Sequence, residues 1–111
     1  MKKHIAIIDL GTNTFHLMII DPQSANPYKA IYRQKEFVKI GEGGGANILP
    51  PSFERGILTM QHYAQIIATH KIEAVYALAT EGLRKAGNST QFIQAVYDNC
   101  GIKILCNTMH K

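Results

Sequence analysis

The sequence predicts an α/β domain with a mixed sheet and the element order β-β-β-α-β-α-β. Three observations predict it. Short, β-rich apolar runs occur in residues 5–20 and 28–39, helical apolar stripes run over 53–67 and 92–97, and another short apolar run comes after each stripe. Strands joined by tight turns pair antiparallel, while strands joined through a helix add in parallel. An antiparallel meander extended by parallel strands is therefore expected.

The first two strands lie either side of a tight turn. Ile5 and Ile7 belong to one and Phe15 to Ile20 to the other, with Gly11-Thr12-Asn13 between them. Gly11 and Asn13 tolerate the positive φ that a short hairpin connection needs. Asp21 to Pro27, with two prolines and polar residues, reads as a loop. Tyr28 to Lys39 is the third strand, with imperfect alternation. Gly41-Glu42-Gly43-Gly44-Gly45 comes next as a flexible connection. Phe53, Ile57, Met60, Ala64 and Ile67, three or four apart, form one helical stripe, and Pro50-Pro51-Ser52 supplies its start. Glu73 to Ala79 is a compact buried strand, and Thr80 to Ala86 is a short helix or loop stopped by Gly87. Asn88 is the expected N-cap of the next helix, with Gln91 completing a partial capping box. That helix buries Phe92, Ile93, Val96 and Tyr97, ends at Gly101, and leads into a last strand from Ile102 to Cys106.

Composition narrows the class. At 111 residues, 46% apolar and 18% charged, the chain matches one globular domain, or a piece of one, and not a disordered segment. Its longest apolar run, Ala74 to Ala79, is far too short to span a membrane. The opening Met1-Lys2-Lys3-His4 resembles a signal peptide only until Asp9 interrupts the apolar run, so export is not expected. Two cysteines, Cys100 and Cys106, suit a reducing cytoplasm. With His110 they lack the usual zinc spacings. Twelve Lys+Arg against eight Asp+Glu give a net charge of +4, which suits an anionic ligand. The cations are dispersed, which disfavours nucleic acid.

Two constellations carry chemistry. In Asp9-Leu10-Gly11-Thr12-Asn13-Thr14 a carboxylate ends the first strand and a turn of small residues comes after it. Such a turn presents backbone N–H groups to phosphate oxygens, and Asp9 can hold Mg²⁺ or orient a water. The same residues equally describe an ordinary hairpin turn. The second constellation, Ala79 to Asn88, begins where the buried strand ends, the place at which α/β sheets bind ligands. Arg84 and Asn88, four apart, can share a face and let a guanidinium grip a phosphoryl group. The plain alternative is a solvated turn with Glu81 and Lys85 as a surface ion pair.

Taken together, these motifs resemble the amino-terminal domain of the exopolyphosphatase and guanosine pentaphosphate phosphohydrolase family. Ile7 to Leu17 looks like its first phosphate loop, and Lys39-Ile40-Gly41-Glu42-Gly43 looks like the segment after its third strand. The Ala79-Thr80, Leu83-Arg84, Ala86, Asn88 and Phe92 pattern is similar to its arginine motif, and Gly101 to Ile104 to the next strand. The resemblance implies a ribonuclease-H-like fold of the actin-like ATPase type, with residues 1–111 as an incomplete phosphate-binding domain. It also implies Mg²⁺-dependent removal of the terminal phosphate from inorganic polyphosphate or guanosine pentaphosphate. By the same resemblance Gly11, Thr12, Asn13 and Thr80 bind phosphate. Arg84 binds the phosphoryl group being cleaved, and Asp9 sits beside the metal.

The family continues after its last strand with Ile-Ser-Gly-x-Glu-Glu-Ala, which carries the general-base glutamate. Here the chain reads Leu105-Cys106-Asn107-Thr108-Met109-His110-Lys111. That base, the domain's last helix and the second domain are therefore missing, as expected of a fragment or truncated product. His110, penultimate in the chain, is a poor substitute. The expected consequences are binding without turnover, and an uncovered sheet face that favours a homodimer. Two other functions share these features: a kinase or ATPase of the same superfold, and a non-catalytic polyphosphate-binding domain.

Overall fold

The computed structural model describes residues 4–24 and 30–106. Three strands open the chain: β1 (His4–Leu10), β2 (Thr14–Ile20) and β3 (Ala30–Phe37). After them come helix α1 (Pro50–Ala68), strand β4 (Ile72–Ala79), helix α2 (Glu81–Lys85), helix α3 (Ser89–Cys100) and strand β5 (Ile104–Cys106). They build one five-stranded sheet in the order β3-β2-β1-β4-β5. β1 pairs antiparallel with β2 and β2 with β3, whereas β4 runs parallel to both β1 and β5. The expected meander with parallel additions is thus present. The 80–86 segment resolves into a separate helix, α2.

Both long helices pack on one face of the sheet. β1 turns Ala6, Ile8 and Leu10 to that face, and β2 turns Phe15, Leu17 and Ile19, all fully buried. Strand side chains alternate between faces, so Ile5, Ile7 and Asp9 point the other way. The buried line of α1 is Ser52, Gly56, Met60 and Tyr63. It runs beside the expected stripe of Phe53, Ile57, Ala64 and Ile67, which are partly buried and flank it. Gly56 lies at the centre of this line because Phe92 of α3 presses against it. A Cβ there would stand 2.7 Å from the Phe92 ring. Phe92 in turn meets Phe53 edge-on at 5.2 Å and Phe15 at 6.4 Å between centroids.

Three expectations change. The third strand, expected over Tyr28 to Lys39, ends at Phe37, because Lys39 turns into left-handed backbone at φ 56°. Val38 and Ile40 are buried beyond its end. Residues 28–29 lie outside the described residues. Asn88 holds the N-cap position of α3 as expected, but its side chain makes no capping bond there. Its side-chain amide instead accepts from Ile48 N–H at 2.8 Å and donates to Ile48 C=O at 3.0 Å. Two bonds to a distant backbone displace one local cap. The last strand starts at Ile104, two residues late. Gly101 ends α3 as expected, in left-handed backbone at φ 72°.

The other sheet face is uncovered by any described residue. Tyr76, Leu78 and Leu105 are exposed there, beside half-buried Ile7 and Met18. No described helix is long and apolar enough to cross a membrane.

Tyr63 ties α1 to the meander. Its hydroxyl donates to Phe15 C=O at 3.0 Å and lies 3.4 Å from Gln34 C=O. Burial first, then the charge of Glu36, pushes its phenol well above the ordinary 10.0. A group whose pKa is raised by folding contributes stability that is complete below its unfolded value and fades above it. Urea titrations should therefore show the wild type losing stability above pH 10 more steeply than Tyr63→Phe. At pH 7 the variant should be less stable by about 1 kcal/mol. Parallel alkaline curves for the two proteins would contradict this role.

Candidate phosphate site at the strand ends

β1 and β4 end side by side, with Leu10 opposite Ala79. The segments that leave the two strands are therefore brought to one edge. After β1 the chain makes the Gly11–Asn13 turn, closed by Gly11 N–H donating to Thr14 C=O at 3.0 Å. After β4 it enters α2, and Thr80 N–H donates to Leu10 C=O at 3.1 Å. The two segments then touch: a Cβ on Gly82 would collide with Thr12 Cγ2. Glycine fits at that contact without moving Thr12.

Helical geometry sorts the residues of α2. At 100° per residue, Gly82, Lys85 and the adjoining Ala86 share one side, Leu83 faces the core, and Arg84 projects opposite Gly82. Leu83 is fully buried. The Nε of Arg84 and the hydroxyl of Thr80 are both buried without a partner among the described residues. Glu81 and Lys85 form the anticipated surface pair at 3.2 Å. Asn88 does not join Arg84 on a ligand-facing side, because its amide is committed to Ile48. Asp9 is exposed at the end of β1 on the open face, opposite His16.

On the Gly82 side of α2 lies a cleft of about 670 Å³. Thr12, Asn13, Lys39, Gly41, Gly45 and Lys85 line it. Of the residues expected to bind phosphate, it gathers Thr12 and Asn13. Gly11, Thr80 and Arg84 lie outside its lining, although they share the same sheet edge.

The 41–45 glycine segment, expected as a flexible connection, is a wall of this cleft. Gly41 N–H donates to Thr12 C=O at 2.9 Å and Lys39 N–H to Asn13 C=O at 3.0 Å. The segment is also clasped from α1. Arg55 donates to Glu42 Oε1 at 2.7 Å, to Ser52 Oγ at 3.0 Å and to Val38 C=O at 3.0 Å. Hydrogen bonding and charge from Arg55 hold the Glu42 carboxyl below the ordinary carboxylate range. Sequence reasoning misses Lys39, Glu42, Ser52 and Arg55 as site residues. Four glycines beside an acid and a lysine are a visible signal, but the partner Arg55 lies across the fold.

The donor set can be tested against Mg²⁺. No three His, Cys, Asp or Glu residues cluster among the described residues. Mg²⁺ does not need such a cage, since it is commonly held by one or two carboxylates together with waters and substrate phosphates. An exposed Asp9 beside a phosphate-type turn fits that demand. Cys100 is a free thiol whose pKa burial raises, which suits a packing role rather than a reactive one. Met109 and His110 lie outside the described residues.

Comparison with known proteins agrees with this architecture. The chain is 34% identical over 109 residues to a bifunctional 3-dehydroquinate synthase/phosphatase of Fusobacterium nucleatum, covering 91% of this chain and 16% of that protein. It is 24% identical over 106 residues to exopolyphosphatase 1 of Mycobacterium leprae, covering 90% of this chain and 30% of that protein. The crystal structure of an exopolyphosphatase from Cytophaga hutchinsonii matches with a TM-score of 0.86 at 28% identity, over 94% of this chain and 34% of that one. The ethanolamine utilization protein EutJ of Carboxydothermus hydrogenoformans, at a TM-score of 0.53 and 11% identity, covers 93% of this chain and 35% of its own. That match concerns the fold alone, the expected actin-like ATPase type. The chain spans 16% and 30% of the lengths of the two curated relatives named. The model of the Ppx/GppA phosphatase family matches residues 19–106, most of the sheet and all of α1 to α3, and the chain belongs to that family.

Proposed function

We propose that this domain is the phosphate-binding half of an exopolyphosphatase-type hydrolase. Its substrate is the terminal phosphate of inorganic polyphosphate or of guanosine pentaphosphate. The observation that carries the proposal is the pair of orphaned polar groups at the end of β4, Arg84 Nε and Thr80 Oγ1. A buried donor left without a partner costs about 1–3 kcal/mol, and native structures rarely leave one without reason. A phosphoryl oxygen on the Arg84 side of the edge where β1 and β4 end would give them an acceptor. The N–H groups of Thr12 and Asn13 also meet no acceptor among the described residues.

Phosphoryl transfer needs positioning and charge neutralisation more than covalent chemistry. In this reading the turn orients the phosphate through backbone dipoles, and Arg84 neutralises the oxygens of the group being removed. Asp9 would hold Mg²⁺, which supplies further charge neutralisation on the phosphate oxygens when bound. The general-base glutamate of the family has no counterpart in residues 1–111, and a positioned base typically contributes about 10²–10⁴-fold. This chain by itself therefore binds without turning over. The uncovered sheet face, with Tyr76, Leu78 and Leu105 exposed, supports self-association of the chain as a homodimer.

Three outcomes test this reading. In calorimetric titration with polyphosphate, Arg84→Ala should weaken binding by roughly 10–100-fold, the equivalent of about 1.5–3 kcal/mol for a charge-assisted contact. Mg²⁺-dependent phosphate release by the purified chain, abolished in that variant, would show that the base is within it. Gly82→Ala should destabilise the domain by about 1–3 kcal/mol by overpacking, and should also weaken phosphate binding. Adding Thr12→Ser removes the clashing methyl and should restore much of both; no rescue would mean the contact does not set the turn. In sedimentation velocity the chain should run as a dimer that Leu78→Glu converts to monomer. A wild-type monomer at high concentration would exclude the dimer.

A further inference from the structure

We propose that the outer edge of β3 takes an added strand from another protein, an extended segment with two carboxylates at alternate positions and an apolar residue beside them. The inference uses no residue assigned to the phosphate site and does not rest on the function proposed above.

β3 ends the sheet, and among the described residues no strand but β2 pairs with it. At eight residues it is the long edge, against three in β5 at the other side. A bulge at Ile31 interrupts its ladder near the start, and from Tyr32 to Phe37 the strand is regular. Alternate residues of an antiparallel strand direct both N–H and C=O away from the existing partner. Half of that regular stretch therefore offers backbone bonds outward, and such a row is a template for another strand.

The side chains decide which strand fits. Arg33, Lys35 and Phe37 lie opposite Met18, His16 and Thr14 of β2, so they share the open face of the sheet. All three are exposed, and Phe37, at 62%, is the most exposed large apolar side chain among the described residues. The two cations are laid along the edge. Arg33 Nη1 rests 3.2 Å from Met18 Sδ, and Lys35 Nζ stands 5.5 Å from the centre of the Phe37 ring. The one carboxylate of β3, Glu36, is on the opposite face, where Gln34 donates to it at 3.0 Å and accepts from Tyr32 at 3.1 Å. Nothing on β3 therefore offsets the positive charge of its open side.

That charge selects against a second copy of this chain. In antiparallel pairing about Gln34, Arg33 of each copy would face Lys35 of the other, and like charges directly opposite destabilise a sheet. An acidic strand reverses the sign of that interaction. A guard against self-pairing needs the charges alone, whereas the exposed Phe37 beside them gives a partner's apolar side chain a surface to cover. In such strand addition the backbone bonds supply affinity and the alternate side chains supply specificity. The dimer proposed above uses Tyr76, Leu78 and Leu105, at the other side of the sheet, and leaves this edge free for it.

The probe is a capped peptide, Val-Thr-Glu-Thr-Glu-Thr-Val, which reads alike in both directions and so tests parallel and antiparallel addition together. In calorimetric titration of the 111-residue chain, replacing both glutamates by lysine should weaken binding by about tenfold or more. N-methylation of one alternate set of peptide amides should do the same while methylation of the other set is tolerated, because only one edge of the added strand meets β3. Arg33→Glu combined with Lys35→Glu should turn the preference to the lysine peptide, which also shows that the variant is folded. Arg84→Ala should leave affinity for the glutamate peptide within about twofold. Absence of binding at about 1 mM peptide, or tolerance of both methylated sets, would overturn the proposal. Loss of binding in Arg84→Ala would put the acidic peptide at the phosphate site and overturn it equally.

Discussion

Thr12 and Gly82 come from opposite ends of the sequence pattern, yet the site depends on their contact. The turn after β1 and the helix after β4 can share one edge only if their backbones approach closely. A Cβ at 82 would collide with Thr12 Cγ2, so glycine leaves that approach undisturbed. The Thr80 N–H bond to Leu10 C=O extends the parallel ladder right up to it. Once the joint is closed, the helical period sets the position of every group in α2. Leu83 enters the core, Lys85 faces the cleft, and Arg84 faces away from it.

The joint rests on a closely packed layer. Phe92 sits between Phe15 and Phe53 and rests on Gly56, so α1, α3 and β2 share one aromatic centre. The segments that carry the cleft are stitched to this layer by polar bonds. Asn88 holds Ile48 through two hydrogen bonds, Gly87 N–H holds Ala46 C=O at 2.8 Å, and Arg55 holds Glu42 and Val38. Each such bond contributes only about 0.5–1.5 kcal/mol net. Their value lies in fixing loops that have little apolar surface of their own to bury.

Division of the cations by α2 has a chemical consequence. Arg84 and Lys85 are adjacent in sequence but face different spaces. A planar guanidinium suits the bidentate grip of a single phosphoryl group, whereas a lysine is a mobile point charge suited to a flexible anion.

Much of this is legible in the chain. Alternation and helical spacing determine the strands, the two long helices and the mixed sheet, because those patterns are local and repeat. The motifs around Gly11 and Arg84 can be read because turn chemistry and strand ends are also local. Three things are decided only in the tertiary structure. Asn88 reads as a cap because its neighbours fit one, but Ile48, forty positions away, offers it two partners instead of one. The glycine segment reads as a free connection, because its fasteners Thr12, Asn13 and Arg55 are remote in sequence. The side of α2 on which Arg84 stands depends on where Gly82 is pinned, and that is set by Thr12 across the sheet edge. Local sequence determines what each residue can do; a contact between distant segments decides where it does it.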